Sequence, residues 1–249
     1  MKRLLLIPLV LFVSCEDNTP NNYTIDASFR YPSEEGSYWE YSCFYSIDTS
    51  MMESISIVRI IDNNSIPDSC GDNVITLLST DSIISNTFGQ LLIPADIDPN
   101  DTSNYSPEVI EFTLGLDTTY YSHSGAEFSF CERRGGVMFN YSKPPYLQYP
   151  LTVGSTWTTD NSLFAFDYEV IGEETILIEL KDGTSVNMNC FIITKNIPGS
   201  QYYYLSSIGL VKSSYISEPI EVTNFDSEGT VETVTSSSEC TLIDYYMAD

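Results

Sequence analysis

Polar and apolar residues alternate in short runs along most of the chain. Glu53-Ser-Ile55-Ser-Ile57-Val-Arg59-Ile-Ile61, Phe166-Asp-Tyr168-Glu-Val170 and Ile176-Leu-Ile178-Glu-Leu180 each keep a two-residue period, which is the period of a strand with one face buried. Lys181-Asp182-Gly183 separates two apolar segments, and Arg134-Gly135-Gly136 joins Glu127–Cys131 to Val137–Tyr141. Both have the composition of hairpin turns. Val231–Val234 and Cys240–Tyr246 are expected to be closing strands. No segment sustains a helical period over twelve residues; Asp81–Leu92 is the one stretch expected to form a short helix. Pro94 through Pro107 reads as a polar loop, and Ser142-Lys143-Pro144-Pro145 as a linker.

The pattern contains an internal repeat. Tyr31-Pro32-Ser-Glu-Glu-Gly36-Ser37-Tyr-Trp39 matches Tyr149-Pro150-Leu-Thr-Val-Gly154-Ser155-Thr-Trp157 as YPxxxGSxW, and these are the only two tryptophans in the chain. Proline stiffens the approach, Gly36 and Gly154 permit a turn before serine, and Trp39 and Trp157 open a strand with the ring turned inward. The expectation is an all-β protein of two related antiparallel units, residues 30–141 and 142–249. Their sheet would be curved and open, as in a half-barrel, or a β-sandwich.

The N-terminus has a different pattern. Met1-Lys2-Arg3 precedes an apolar run, Leu4 to Val13, too short to span a bilayer but of signal-peptide length. It meets Phe12-Val13-Ser14-Cys15, then turns abruptly polar at Glu16-Asp17-Asn18. This junction resembles the lipobox of bacterial lipoproteins, which implies a signal peptide over 1–14 and diacylation of Cys15. More than one acyl chain gives stable anchoring. Residues 15–29 would be the lipidated tether, with a reach of roughly 20 Å. Its acidic start also resembles the export signals of surface lipoproteins in the Bacteroidota. The YPLxVGSxW segment together with Tyr203-Tyr204-Leu-Ser-Ser-Ile-Gly209-Leu210-Val211-Lys212 resembles a broad group of exported lipoproteins of the Bacteroidota. Some of these are similar to the lipoprotein-carrier fold, a strongly curved antiparallel sheet. The resemblance implies anchorage at the outer membrane, facing the periplasm or the cell surface, and it transfers no catalytic residue.

Charge narrows the partners. The 249 residues hold 10 Lys plus Arg against 35 Asp plus Glu, a net −25. Loss of Lys2 and Arg3 with the signal peptide leaves 8 − 35 = −27. Such a chain is repelled by polyanions, which excludes nucleic acid as a partner, and nothing electrostatic holds its body to an anionic leaflet. The membrane partner is reached through the N-terminal lipid, leaving protein, lipid or glycan as ligand classes. At 42% hydrophobic and 13% aromatic residues, the composition is that of a folded protein.

Chemistry-bearing motifs are sparse. The lone His123 stands in a Ser-His-Ser-Gly turn, no serine has a GxSxG setting, and HExxH, P-loop and GxGxxG patterns are absent. No catalytic residue is assigned, and the expected role is non-catalytic binding or structure, with a concave-sheet carrier or a glycan-binding or glycan-active surface protein as alternatives. No cofactor is expected apart from one calcium-like run, Asp96-Ile-Asp98-Pro-Asn100-Asp101. There Asp96, Asp98 and Asn100 supply oxygen at alternate positions, but Asp101 stands where a calcium loop needs glycine and Pro107 where it needs a bidentate Glu. Five cysteines remain beside Cys15, without zinc-type spacing. In an oxidising compartment two bridges and one buried, inert thiol are expected.

Overall fold

A computed structural model describes residues 28–47, 50–61, 70, 74–86, 112–134, 142–161, 164–223 and 231–248. Cys15, Asp96, Asp98, Asn100 and the Gly135–Tyr141 arm lie outside these residues. The described chain is all-β, and no α-helix occurs in it.

One side of the sheet is built from β1 (Tyr38–Ile47), β2 (Ser50–Ile61), β3 (Val74–Asn86), β4 (Phe112–His123), β5 (Glu127–Arg134) and the short β6 (Leu147–Gln148), which already lies past residue 141. The other is built from β7 (Thr156–Asn161), β8 (Phe164–Glu179), β9 (Ser185–Lys195), β10 (Ser200–Ser206), β11 (Gly209–Ile216) and β14 (Ser236–Tyr246), with β12 (Ile220–Thr223) and β13 (Val231–Val234) paired apart. Twelve strands form one antiparallel sheet, ordered β6-β5-β4-β3-β2-β1-β14-β11-β10-β9-β8-β7 and nearly closed into a barrel. The expected curved sheet is therefore present, and the sandwich alternative is not.

Around the barrel the strands follow chain order, except that the C-terminal β14 comes back to pair with β1 as well as β11. The two sheet edges, β6 and β7, are neighbours in sequence. Cys43 and Cys240 lie opposite each other in the β1–β14 register and are disulfide-bonded, tying the first strand to the last. Cys70 is bonded to Cys131 on β5. Cys190 is free and buried, and burial pushes its thiol up to about 12.

A twelve-stranded barrel is wider than strand side chains alone can fill. Aromatic residues and two non-strand segments make up the difference. Phe29 and Tyr31 before β1, and Ser142 to Pro145 before β6, are buried. The Tyr31 amide donates to the Tyr149 hydroxyl at 2.9 Å, so the two YP segments touch. Tyr31, Phe128 and Tyr121 form a continuous stack, with centroid spacings of 4.7 and 4.5 Å.

The two YPxxxGSxW copies make the same turn. Gly36 has φ +91° and Gly154 φ +87°, the left-handed region that disfavours side chains. Gly36 N–H donates to Ile60 O and Ser37 O accepts from Ile60 N–H; Gly154 N–H donates to Val170 O and Ser155 O accepts from Val170 N–H. Trp39 then faces Val58 across the β1–β2 hairpin, as Trp157 faces Tyr168 across β7–β8. Both rings are buried.

Two expectations need correction or refinement. Asp81–Asn86 is not helical: it completes β3, with Asp81 and Ile83 buried and Ile84 exposed. Leucine and isoleucine spacing admitted a helix there, but pairing with β2 and β4 keeps this stretch extended. On β2 the alternation is real, yet Ser54 and Ser56 share the buried face with Met52, Val58 and Ile60. Polar residues on an inner face need partners, and that of Ser56 is Ser142.

Candidate ligand-binding cleft

Ser56 Oγ donates to Ser142 Oγ at 2.7 Å. Next to it, the Lys143 ammonium contacts the Asp117 carboxylate and donates to Thr119 Oγ1 at 2.6 Å. Asp117 is fully buried and Lys143 only 6% exposed. Burial pulls the Lys143 ammonium down to about 8, with the Asp81 charge opposing the shift. A buried ammonium and carboxylate survive only as a hydrogen-bonded pair, so this cluster pins the Lys-Pro-Pro segment to the inner wall. The Pro144 carbonyl accepts from the Tyr121 hydroxyl at 3.2 Å, extending the anchorage.

That pinned segment forms the floor of a cleft of about 450 Å³ running along the seam between the β5–β6 edge and the β7 edge. The size falls within the range of small-molecule sites. Tyr121 and Phe130 stand on one side and Phe166 and Tyr168 on the other, with Tyr146 between them. Tyr146 lies edge-on to Tyr168, their centroids 6.5 Å apart. The Tyr146 hydroxyl donates to Glu127 Oε2 at 2.8 Å, and Trp157 Nε1–H donates to the Tyr146 carbonyl at 3.1 Å. Burial, reinforced for Tyr146 by Glu127, pushes both Tyr146 and Tyr168 up to about 12. Their hydroxyls are neutral at physiological pH and able to donate as well as accept. Thr119, Ser129, Thr158 and Thr159 add hydroxyls to the lining.

Lys195 closes the far end. It pairs with Tyr168 in register, and its ammonium lies 3.9 Å from the centroid of the Phe166 ring. Burial lowers its pKa.

Other sequence candidates lie elsewhere. Trp157 borders the cleft through Tyr146, whereas Trp39 donates from Nε1 to the Ile208 carbonyl at 2.6 Å, beside the β10–β11 turn. His123, at the end of β4, has its Nε2 buried without a hydrogen-bond partner, and burial followed by Arg30 lowers its pKa. It lines a separate hollow with Ser33, Ser124 and Gly125, and the Glu34 charge partly opposes the lowering of its pKa. Lys143 and Lys195 were not singled out in the sequence as site residues. With 10 basic residues in 249, where each cation goes is a usable signal.

No family model and no curated protein matches the chain. Among solved structures, that of a putative lipoprotein from Parabacteroides distasonis aligns over 89% of this chain and all of its own, at 12% identity and a TM-score of 0.32. At that score the alignment assigns neither a shared fold nor a function.

Proposed function

We propose that this protein is a lipid-anchored, non-catalytic binding lipoprotein of the bacterial cell envelope, held by acylated Cys15 and binding a saccharide in the seam cleft. The observation that carries the ligand reading is the lining: exposed Phe130 and half-buried Tyr146 and Phe166 stand with threonine and serine hydroxyls along a solvent-open cleft. Aromatic faces pack against the C–H faces of sugar rings while hydroxyls exchange hydrogen bonds with theirs. A carrier would need an open apolar groove, but the inner face of the described sheet is already packed with Trp39, Leu77, Phe128, Ile193 and Leu205. The anchor rests on the Ser14-Cys15 junction after an apolar run.

The test is a thermal-shift screen of the full chain in detergent against neutral and acidic oligosaccharides, repeated with Phe166→Ala. At least one saccharide is expected to raise the melting temperature of the wild type, by mass action on the folded state, and to lose that effect in the variant. Absence of any shift at millimolar saccharide, or a shift indifferent to Phe166→Ala, overturns the reading.

A further inference from the structure

Counter-ions in this chain are lopsided: 35 carboxylates compete for 10 cations. Under such competition each described lysine would be expected to hold an acid, and three do. Lys143 holds Asp117, Lys181 holds Glu40 and Asp244, and Lys212 holds Glu239. Lys195 differs. No described carboxylate oxygen lies within 4 Å of its ammonium, and its contact is the Phe166 ring. It is also partly buried and lines the seam cleft. A partly desolvated cation without an anion is costly, and an acid supplied from outside would relieve that cost.

We infer that the cleft takes an acidic saccharide, a uronate-type unit whose carboxylate is received by Lys195 while its ring lies against Phe166. This rests on the saccharide reading above and adds the charge of the ligand. Lys143 cannot play the same part, because Asp117 already neutralises it. Glu127, on β5, is the acid in this lining, and its carboxylate is engaged by the Tyr146 hydroxyl; Asp167 and Glu169 share a second hollow with Lys195, but neither forms an ion pair with it. The net negative charge of the whole molecule does not forbid an anion here. Surface acids beyond about 8 Å are screened at physiological ionic strength, and a charge-assisted hydrogen bond at contact outweighs them.

The experiment is calorimetry on the full chain with glucuronate, galacturonate and mannuronate trisaccharides, each beside its methyl ester, which keeps the sugar and removes the charge. At least one acid is expected to bind about tenfold more tightly than its ester, the scale of one charge-assisted contact. Lys195→Met, which preserves the stem over Phe166, should erase that difference without lowering the melting temperature. Glu127→Gln should retain or widen it. Equal affinity for acid and ester, or an undiminished preference in Lys195→Met, overturns the inference. Neutral saccharides that bind equally well and are lost in Phe166→Ala would sink the charge assignment and leave the saccharide reading standing. No saccharide binding of any kind would remove both.

Discussion

Lys143 shows what a single side chain does in this molecule. Its ammonium satisfies Asp117 and Thr119 on a largely buried inner wall, and it holds the cleft floor in place. Lys143→Met should therefore destabilise the fold by about 3–5 kcal/mol, because the buried Asp117 carboxylate would lose its ammonium partner. Urea denaturation measures this, and adding Asp117→Leu should return part of the loss; equal instability of the single and double variants would contradict the pairing. Gly209 is a second such position. Its φ of +104° disfavours side chains, and a Cβ there would lie 3.3 Å from Trp39 Nε1 and from the Tyr31 ring. Gly209→Ala is expected to cost about 1–3 kcal/mol from backbone strain, read as a lowered urea midpoint. Cys190 should be inert: with its thiol pushed up to about 12, almost no thiolate exists at pH 8. An aromatic disulfide reagent should then label Cys190 only after unfolding in non-reducing denaturant. Rapid labelling of the native protein would contradict its burial.

At the scale of elements, the strand content was legible because alternation, turn residues and the YPxxxGSxW repeat act locally. Lys181-Asp182-Gly183 does join β8 to β9, and Val231–Val234 and Cys240–Tyr246 fall in strands. Which face of a strand is inner was not legible. On β2 the isoleucines at 55 and 57 are only half-buried while Ser54 and Ser56 turn inward, and Ser142 of the Lys143 segment bonds Ser56 there. The same long-range contact hid the site: Lys143-Pro-Pro has the composition of a linker, and its burial depends on Asp117, which is 26 residues away. The cleft was illegible for a related reason, because it forms between two sheet edges whose side chains meet only when the sheet curves. The disulfide between β1 and β14 spans 197 residues of sequence. Replacing both Cys43 and Cys240 with serine should lower stability by about 2–5 kcal/mol, measured by urea midpoint, with the Cys70–Cys131 bridge left intact.

At the scale of the whole molecule, the described strands form a nearly closed barrel that leaves one seam open. If Cys15 is acylated as proposed, Cys15→Ala should release the protein from the membrane fraction and remove lipid mass from its N-terminus, since a strongly acidic body has no electrostatic hold on anionic lipid. The binding account is tested most directly by the two indole N–H signals in a nitrogen-15 NMR spectrum, one for each tryptophan. Trp157 donates to the Tyr146 carbonyl at the cleft, while Trp39 donates to Ile208 at the β10–β11 turn. Titration with the tightest uronate trisaccharide should move the Trp157 indole signal and leave that of Trp39 in place. A saturating titration that moves neither signal, or only that of Trp39, would contradict a ligand site at the seam.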